Sequence, residues 1–129
     1  MPSFVHIDIA ADDPERATRF YERVFGWTIQ KLEGPVPYWL IGTGTHAMPP
    51  VGAGVAKRED PSQGVTPTVG VDSVDAYEKT IVAEGGTVVV PKTLIPGIGH
   101  LLTFKDPEGN TMAILEPVAD NPFAGPPAA

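Results

Sequence analysis

The chain has 129 residues, 42% of them apolar, a formal net charge of -7 and no cysteine. That length suits one domain with a shared core, and the missing cysteine excludes disulfides, zinc-thiolate centres and thiol nucleophiles. The acidic balance argues against nucleic acid and anionic membrane as partners. No apolar run approaches the ~18 residues of a membrane span. The start lacks the basic-then-apolar pattern of a signal peptide, so a cytoplasmic location is expected. The charge mildly favours a cationic ligand, but solubility accounts for it more simply.

Residues 4–9 alternate, with Val5, Ile7 and Ile9 on one face and Phe4, His6 and Asp8 on the other. The apolar face is expected to meet the next helix. Asp13 suits its N-cap and Pro14 its first position, where no donor is wasted. Ala17, Phe20, Tyr21, Val24 and Phe25 predict its buried stripe, and Gly26 its left-handed end. Strands follow at 27–32, 38–41 and 52–57. Between the last two lies a loop rich in Gly and Pro that carries His46, read as a solvated residue. Residues 58–64 read as a polar linker.

The second half repeats that order. Val69 and Val71 face a helix capped by Asp72 or Ser73, with Val74, Tyr77 and Ile81 turned inward. Pro67 starts its strand or marks an edge. Gly85 and Gly86 close the helix, 87–90 is a strand, and 91–97 is a loop. Strands 99–105 and 111–116 are joined by Asp106-Pro-Glu-Gly-Asn110, a strong turn signal. Residues 119–129, rich in Pro and Ala, read as a loose tail.

A shift of sixty residues lays Asp12 on Asp72, Ile9 on Val69 and Gly26 on Gly86. With one inserted residue, Trp39 meets His100. The domain 1–118 thus divides into module one (3–57), a linker (58–65) and module two (66–118), two copies of one unit. Each copy alone would bury little core, so the two should pack together or against another chain.

His6 with Phe20-Tyr21 and Gly26-Trp27, Val71-Asp72, and Asp106-Pro-Glu-Gly109 carry a resemblance over residues 3–118. The chain resembles the vicinal oxygen chelate superfamily, also called the glyoxalase/bleomycin-resistance/dioxygenase superfamily. Ala11-Asp-Asp-Pro-Glu-Arg16 is similar to a glyoxalase-like subgroup of it. The resemblance implies an α+β fold of two βαβββ modules. Their curled mixed sheets would form a cleft, with the helices outside. It also implies a homodimer.

Metal enzymes of the superfamily take up to four ligands, two per module, from first and last strands. His6 matches the first position. Its counterpart in module two is Thr66, a poor ligand. The family's glutamate position falls on Ala113. No Asp or Glu stands between Gly34 and Arg58. With one ligand of four, no metal or other cofactor is expected. If Lys105 pairs with Asn110, His100, Leu102 and Phe104 share the cleft face with Thr111, Ala113 and Leu115. A slip of one residue would turn His100 to the helix side. Glu116 has the wrong parity for the cleft.

His6, Asp8 and His100 are candidate acid-base groups, against the plainer reading of polar residues lining a wet groove. The ligand-binding set is His6, Asp8, Trp39, Thr66, Thr68, His100, Leu102, Phe104 and Ala113: apolar walls with a few orienting polar groups. The expected function is metal-free small-molecule binding, as in the antibiotic-sequestering branch of the superfamily. The alternative is a lactoylglutathione lyase-like enzyme or related isomerase acting on a carbonyl substrate. A third reading is an interaction module with a vestigial cleft.

Overall fold

The computed structural model describes residues 2–34, 36–43 and 51–118. His46 and the tail 119–129 lie outside them. The elements are β1 (Ser3–Ala11), α1 (Pro14–Phe25), β2 (Thr28–Leu32), β3 (Tyr38–Gly42), β4 (Gly52–Lys57), β5 (Val65–Gly70), α2 (Val74–Ala83), β6 (Thr87–Ile95), β7 (Gly99–Lys105) and β8 (Thr111–Pro117). The order strand, helix, three strands therefore occurs twice, and the class is α+β. The described residues form two compact units, one within 6–66 and one made of 2–5 with 67–118.

In the first unit the strands run β2-β3-β4-β1. β1 and β4 are parallel, with His6 opposite Gly52 and Asp8 opposite Gly54. The other two pairs are antiparallel, and Trp39 faces Val55 across one of them. Helix α1 starts as the sequence predicts. The Asp13 carboxylate accepts from the Arg16 amide at 3.1 Å, Pro14 opens the helix, and Gly26 closes it at φ 70°. Ala11, Trp39, Ile41, Ala53 and Val55 form the buried core, and Ile7, Ile9, Ala17 and Tyr21 pack on it. Fully burying a side chain such as Val55 is worth about 1.5–3 kcal/mol.

The helix stripe is narrower than expected. Ala17 and Tyr21 face the core, but Phe20, Val24 and Phe25 are exposed. Phe25 stacks on Trp27 at a centroid distance of 4.7 Å instead of entering the core. The linker is also more ordered than its polarity implied. Arg58 donates to Asp12 at 3.0 Å, to the Ala10 carbonyl at 3.3 Å and to the Gln63 carbonyl. These bonds tie the linker to the end of β1.

In the second unit the strands run β5-β8-β7-β6. Val71, Val74, Leu102 and Ile114 are its buried core, with Val69, Tyr77, Ile81, Val88 and Phe104 packed on it. Ser73 caps α2, accepting from the Ala76 amide at 3.2 Å. Glu116 also accepts there, from the Val74 amide at 2.9 Å. The ladder from β5 to β8 begins at Thr68, so Pro67 stands ahead of it within a strand that starts at Val65. The expected loop 91–97 is instead largely strand. β6 runs to Ile95, and register shifts between Val88 and Thr93 absorb Pro91.

The β7–β8 hairpin corrects the expected register by one residue. Asp106 Oδ1 accepts from the Glu108 and Asn110 amides at 2.9 Å, and the Asp106 amide donates to the Asn110 carbonyl. Asp106 thus closes on Asn110, and the first ladder pair is Lys105 with Thr111. His100 then pairs with Glu116, Leu102 with Ile114 and Phe104 with Met112.

Registers also correct the inserted-residue part of the repeat. Ala10 and Tyr38 both pair with Ala56, while Gly70 and Leu101 both pair with Leu115. Tyr38 is therefore the equivalent of Leu101, Trp39 of Leu102, Asp8 of Thr68 and Gly54 of Ala113.

Candidate functional site

Alternation along β1 sends Ile7 and Ile9 to α1 and leaves His6 and Asp8 on the opposite face. The same alternation in β3 buries Trp39 and Ile41 under the helix and puts Tyr38 on the face of His6 and Asp8. Tyr38 lies two strands from β1, with β4 between. Its ring crosses β4 over Gly54. A Cβ built at Gly54 would collide with the Tyr38 ring and hydroxyl, so glycine makes the crossing possible.

Three polar groups converge at the end of that ring. The Tyr38 hydroxyl donates to Asp8 Oδ1 at 2.7 Å, and His6 Nε2 lies 2.6 Å from the same hydroxyl oxygen. His6 Nε2 and Asp8 Oδ1 are 3.2 Å apart. A phenol has one proton. Since Tyr38 gives its proton to Asp8, the His6 bond requires a proton on Nε2. The chain of donation runs His6 to Tyr38 to Asp8.

Burial, then the Asp8 charge and the hydrogen bond to it, hold the Tyr38 hydroxyl far above the usual tyrosine range. Tyr38 is thus a fixed neutral donor. The His6 side chain is 6% exposed and the Asp8 side chain 40%. Asp8 is the member of the cluster that an incoming molecule meets, and its carboxylate has acceptor capacity left for a donor group.

Module two lacks this chemistry. Thr68 stands where Asp8 does in the first, fully buried, and its hydroxyl has no hydrogen-bond partner among the described residues. Ala113 replaces Gly54 and pairs with Thr68. Leu101 replaces Tyr38 and offers no polar atom. Thr66, the counterpart of His6, is half-buried.

Several expected wall residues face elsewhere. Trp39 is core beneath α1, with Lys31 Nζ 5.2 Å from its ring centroid. Leu102 and Phe104 pack toward α2, and alternation puts His100 on that same face. The hairpin register is the cause: one residue of slip exchanges the two faces of a strand. His100 is not brought together with His6 and Asp8 by their hydrogen-bond cluster. Glu116, dismissed on parity, does serve the helix side.

The sequence reasoning passed over Tyr38 and the role of Gly54. The signal was present. Tyr38 and Leu40 alternate against Trp39 and Ile41, and a small residue at 54 opens space beside them.

The model of the Glyoxalase/Bleomycin resistance protein/Dioxygenase superfamily matches residues 3–114. The chain belongs to this superfamily. A glyoxylase-like domain-containing protein from Didymella fabae is 33% identical over 113 residues, covering 84% of this chain and 88% of the relative. The protein CFP32 of Mycobacterium tuberculosis is 27% identical over 115 residues. The match takes in 85% of this chain but 42% of CFP32, so the chain spans less than half that relative's length. Among solved structures, a hypothetical protein from Bacillus halodurans aligns with a TM-score of 0.69 at 13% identity, over 88% of this chain and 93% of that one. Methylmalonyl-CoA epimerase from Mycobacterium tuberculosis aligns with a TM-score of 0.67 at 16% identity, over 89% and 87%. These likenesses show the fold.

The superfamily's divalent metal is a poor match for the residues present. His6 Nε2, the nitrogen that would ligate, carries a proton toward Tyr38. Asp8 Oδ1 stands 3.2 Å from it as a second donor. Module two offers Thr66 and Ala113 at the corresponding positions, and no group of three His, Asp or Glu comes together among the described residues.

Proposed function

We propose that the chain is a small-molecule binding protein that holds its ligand at His6, Tyr38 and Asp8 without a metal. The observation that carries this is the Tyr38 hydroxyl bridging His6 Nε2 and Asp8 Oδ1 at 2.6 and 2.7 Å. The bridge occupies the ring nitrogen that a metal would need and fixes Asp8 as an acceptor. The ligand then carries an N–H, an O–H or a cationic group for Asp8. Neutral donors on the ligand are orientated by the fixed carboxylate, the usual division between polar anchors and apolar walls in such sites.

The test is a thermal-shift screen of small amines, alcohols and heterocycles. A ligand at 100 times its Kd adds about 2.7 kcal/mol to the folded state. Hits should lose their shift in Asp8→Asn and His6→Ala while both variants stay folded. Hits that survive both substitutions, or stoichiometric metal in the purified protein, would contradict the proposal.

One feature favours an enzyme as the second reading. A half-exposed carboxylate hydrogen-bonded to a neutral phenol is a workable base-and-donor pair for a lyase or isomerase acting next to a carbonyl. Turnover of such a substrate, abolished in Asp8→Asn, would select it. A cytoplasmic homodimer completes the proposal. Small module cores support it, as do the exposed Val89, Val90 and Leu94 of β6. A monomeric mass at micromolar concentration would count against it.

A further inference from the structure

The chain has four arginines, and three of them, Arg16, Arg19 and Arg23, stand on α1. Their spacing of three, then four, places them on one side of the helix. Seven residues of helix put the outer two about 10 Å apart along the axis. All three are exposed. None is in an ion pair among the described residues. The fourth, Arg58, is spent on Asp12 and two carbonyls; of the two carboxylates on the helix, Glu15 turns to Lys31 at 3.7 Å, and Glu22 leaves the three arginines in excess.

Phe20 and Val24 flank this ridge, 58% and 53% exposed. The Phe20 and Tyr21 rings meet at 73° with centroids 5.6 Å apart, and Phe20 stays exposed. Exposed aromatics beside unpaired guanidinium groups are the composition of interface hot spots. Their concentration on a single helix is unusual for a chain of net charge -7, in which scattered lysines would suffice for solubility.

We infer that the outer face of α1 is a docking surface for an acidic segment of another protein that also presents an apolar side chain. Charge complementarity selects the occupant. The guanidinium row fits carboxylates spaced one helical turn apart, each able to form a two-pronged bond. Phe20 and Val24 then receive the neighbouring apolar residue. Extended polyanions fit less well: the row is short, and the net charge of the whole chain opposes their approach. The surface is independent of the ligand site, because its residues share no contact with His6, Tyr38 or Asp8 in the bonds above.

The probe is a fluorescein-labelled helical 14-residue peptide with glutamates on three successive turns and leucines beside them. Polarisation should rise on titration with the full chain and weaken steeply with added salt. Replacing the peptide glutamates by glutamine should cost about 10-fold in affinity, and so should the triple variant R16Q/R19Q/R23Q. F20S should cost about 5-fold. The peptide variants need no altered protein, so a misfolded triple variant would not obscure the result. Equal binding of the glutamate and glutamine peptides would overturn the inference. So would tighter binding of phosphatidylserine vesicles or single-stranded DNA than of the peptide. A change in the protein's own mass on making the triple variant would also overturn it, by assigning the face to a second copy.

Discussion

The two modules share an order of elements and a pattern of registers, yet differ at four equivalent positions. Module one has His6, Asp8, Gly54 and Tyr38; module two has Thr66, Thr68, Ala113 and Leu101. In the first set a glycine lets a tyrosine cross a strand and link an acid to a histidine. In the second, a methyl stands on the crossing path, the crossing residue is apolar, and the threonine hydroxyl is buried without a partner among the described residues. One scaffold thus carries an organised polar cluster in one copy and only packing in the other. The difference is made by side chains two residues apart on alternating strands, not by the backbone.

The largest expected effect comes from filling the crossing. Gly54→Ala puts a methyl into the space of the Tyr38 ring and should destabilise by about 2–3 kcal/mol in urea unfolding. The mirrored change, Ala113→Gly, should cost about 1 kcal/mol, since it only loosens a strand. Equal costs would mean that Gly54 is not a crossing point.

Next come the polar partners. Tyr38→Phe keeps the ring but removes the bridge, and should cost about 1–2 kcal/mol because a hydrogen bond to a charged group is lost. Thr68→Val should go the other way, neutral or stabilising by up to about 1 kcal/mol, since it removes an unpartnered buried hydroxyl. A destabilising Thr68→Val would show that the hydroxyl has a partner, and the contrast between modules would shrink.

How much of this was legible beforehand depends on which rule governed each element. The caps at Asp13, Pro14 and Gly26 are local chemistry, and they read correctly from adjacent residues. The strand face of His6 and Asp8 also read correctly, because alternation in a strand with a clean apolar face admits one assignment. The second hairpin did not. Its register rests on whether Asp106 or Lys105 closes against Asn110, and the sequence signals a turn without saying which residue ends it. That one residue decided the faces of His100, Leu102 and Phe104. The repeat passed that wrong face from His100 to Trp39, and so set a core residue in the place that belongs to Tyr38. The stripe on α1 failed for another reason: apolar residues at helical spacing need not all be buried, and Phe20 and Val24 lie beyond the width of the sheet contact.

One effect shows only in alkaline solution and is absent near neutral pH. Burial and the Asp8 charge favour the protonated Tyr38 in the folded state. In the unfolded chain a tyrosine titrates near 10. Above about pH 10 the unfolded chain releases a proton that the folded chain keeps, so stability falls by up to about 1.4 kcal/mol per pH unit from this group. Below about pH 10 it contributes no slope. Tyr38→Phe should flatten the wild-type curve above that point and leave it unchanged below. Native ultraviolet titrations of the wild type and of this variant should superpose, since Tyr38 does not ionise while folded.

The most direct measurement is a long-range proton–nitrogen NMR spectrum of histidine-labelled protein, with and without equimolar zinc. The account predicts that His6 carries its proton on Nε2 and that zinc leaves its signals in place. Tyr38→Phe should leave the proton on Nε2, because Asp8 Oδ1, 3.2 Å away, still accepts it. A His6 resonance with a bare Nε2 that moves to a metal-bound position on adding zinc would contradict the hydrogen-bonded cluster and restore a metal to module one.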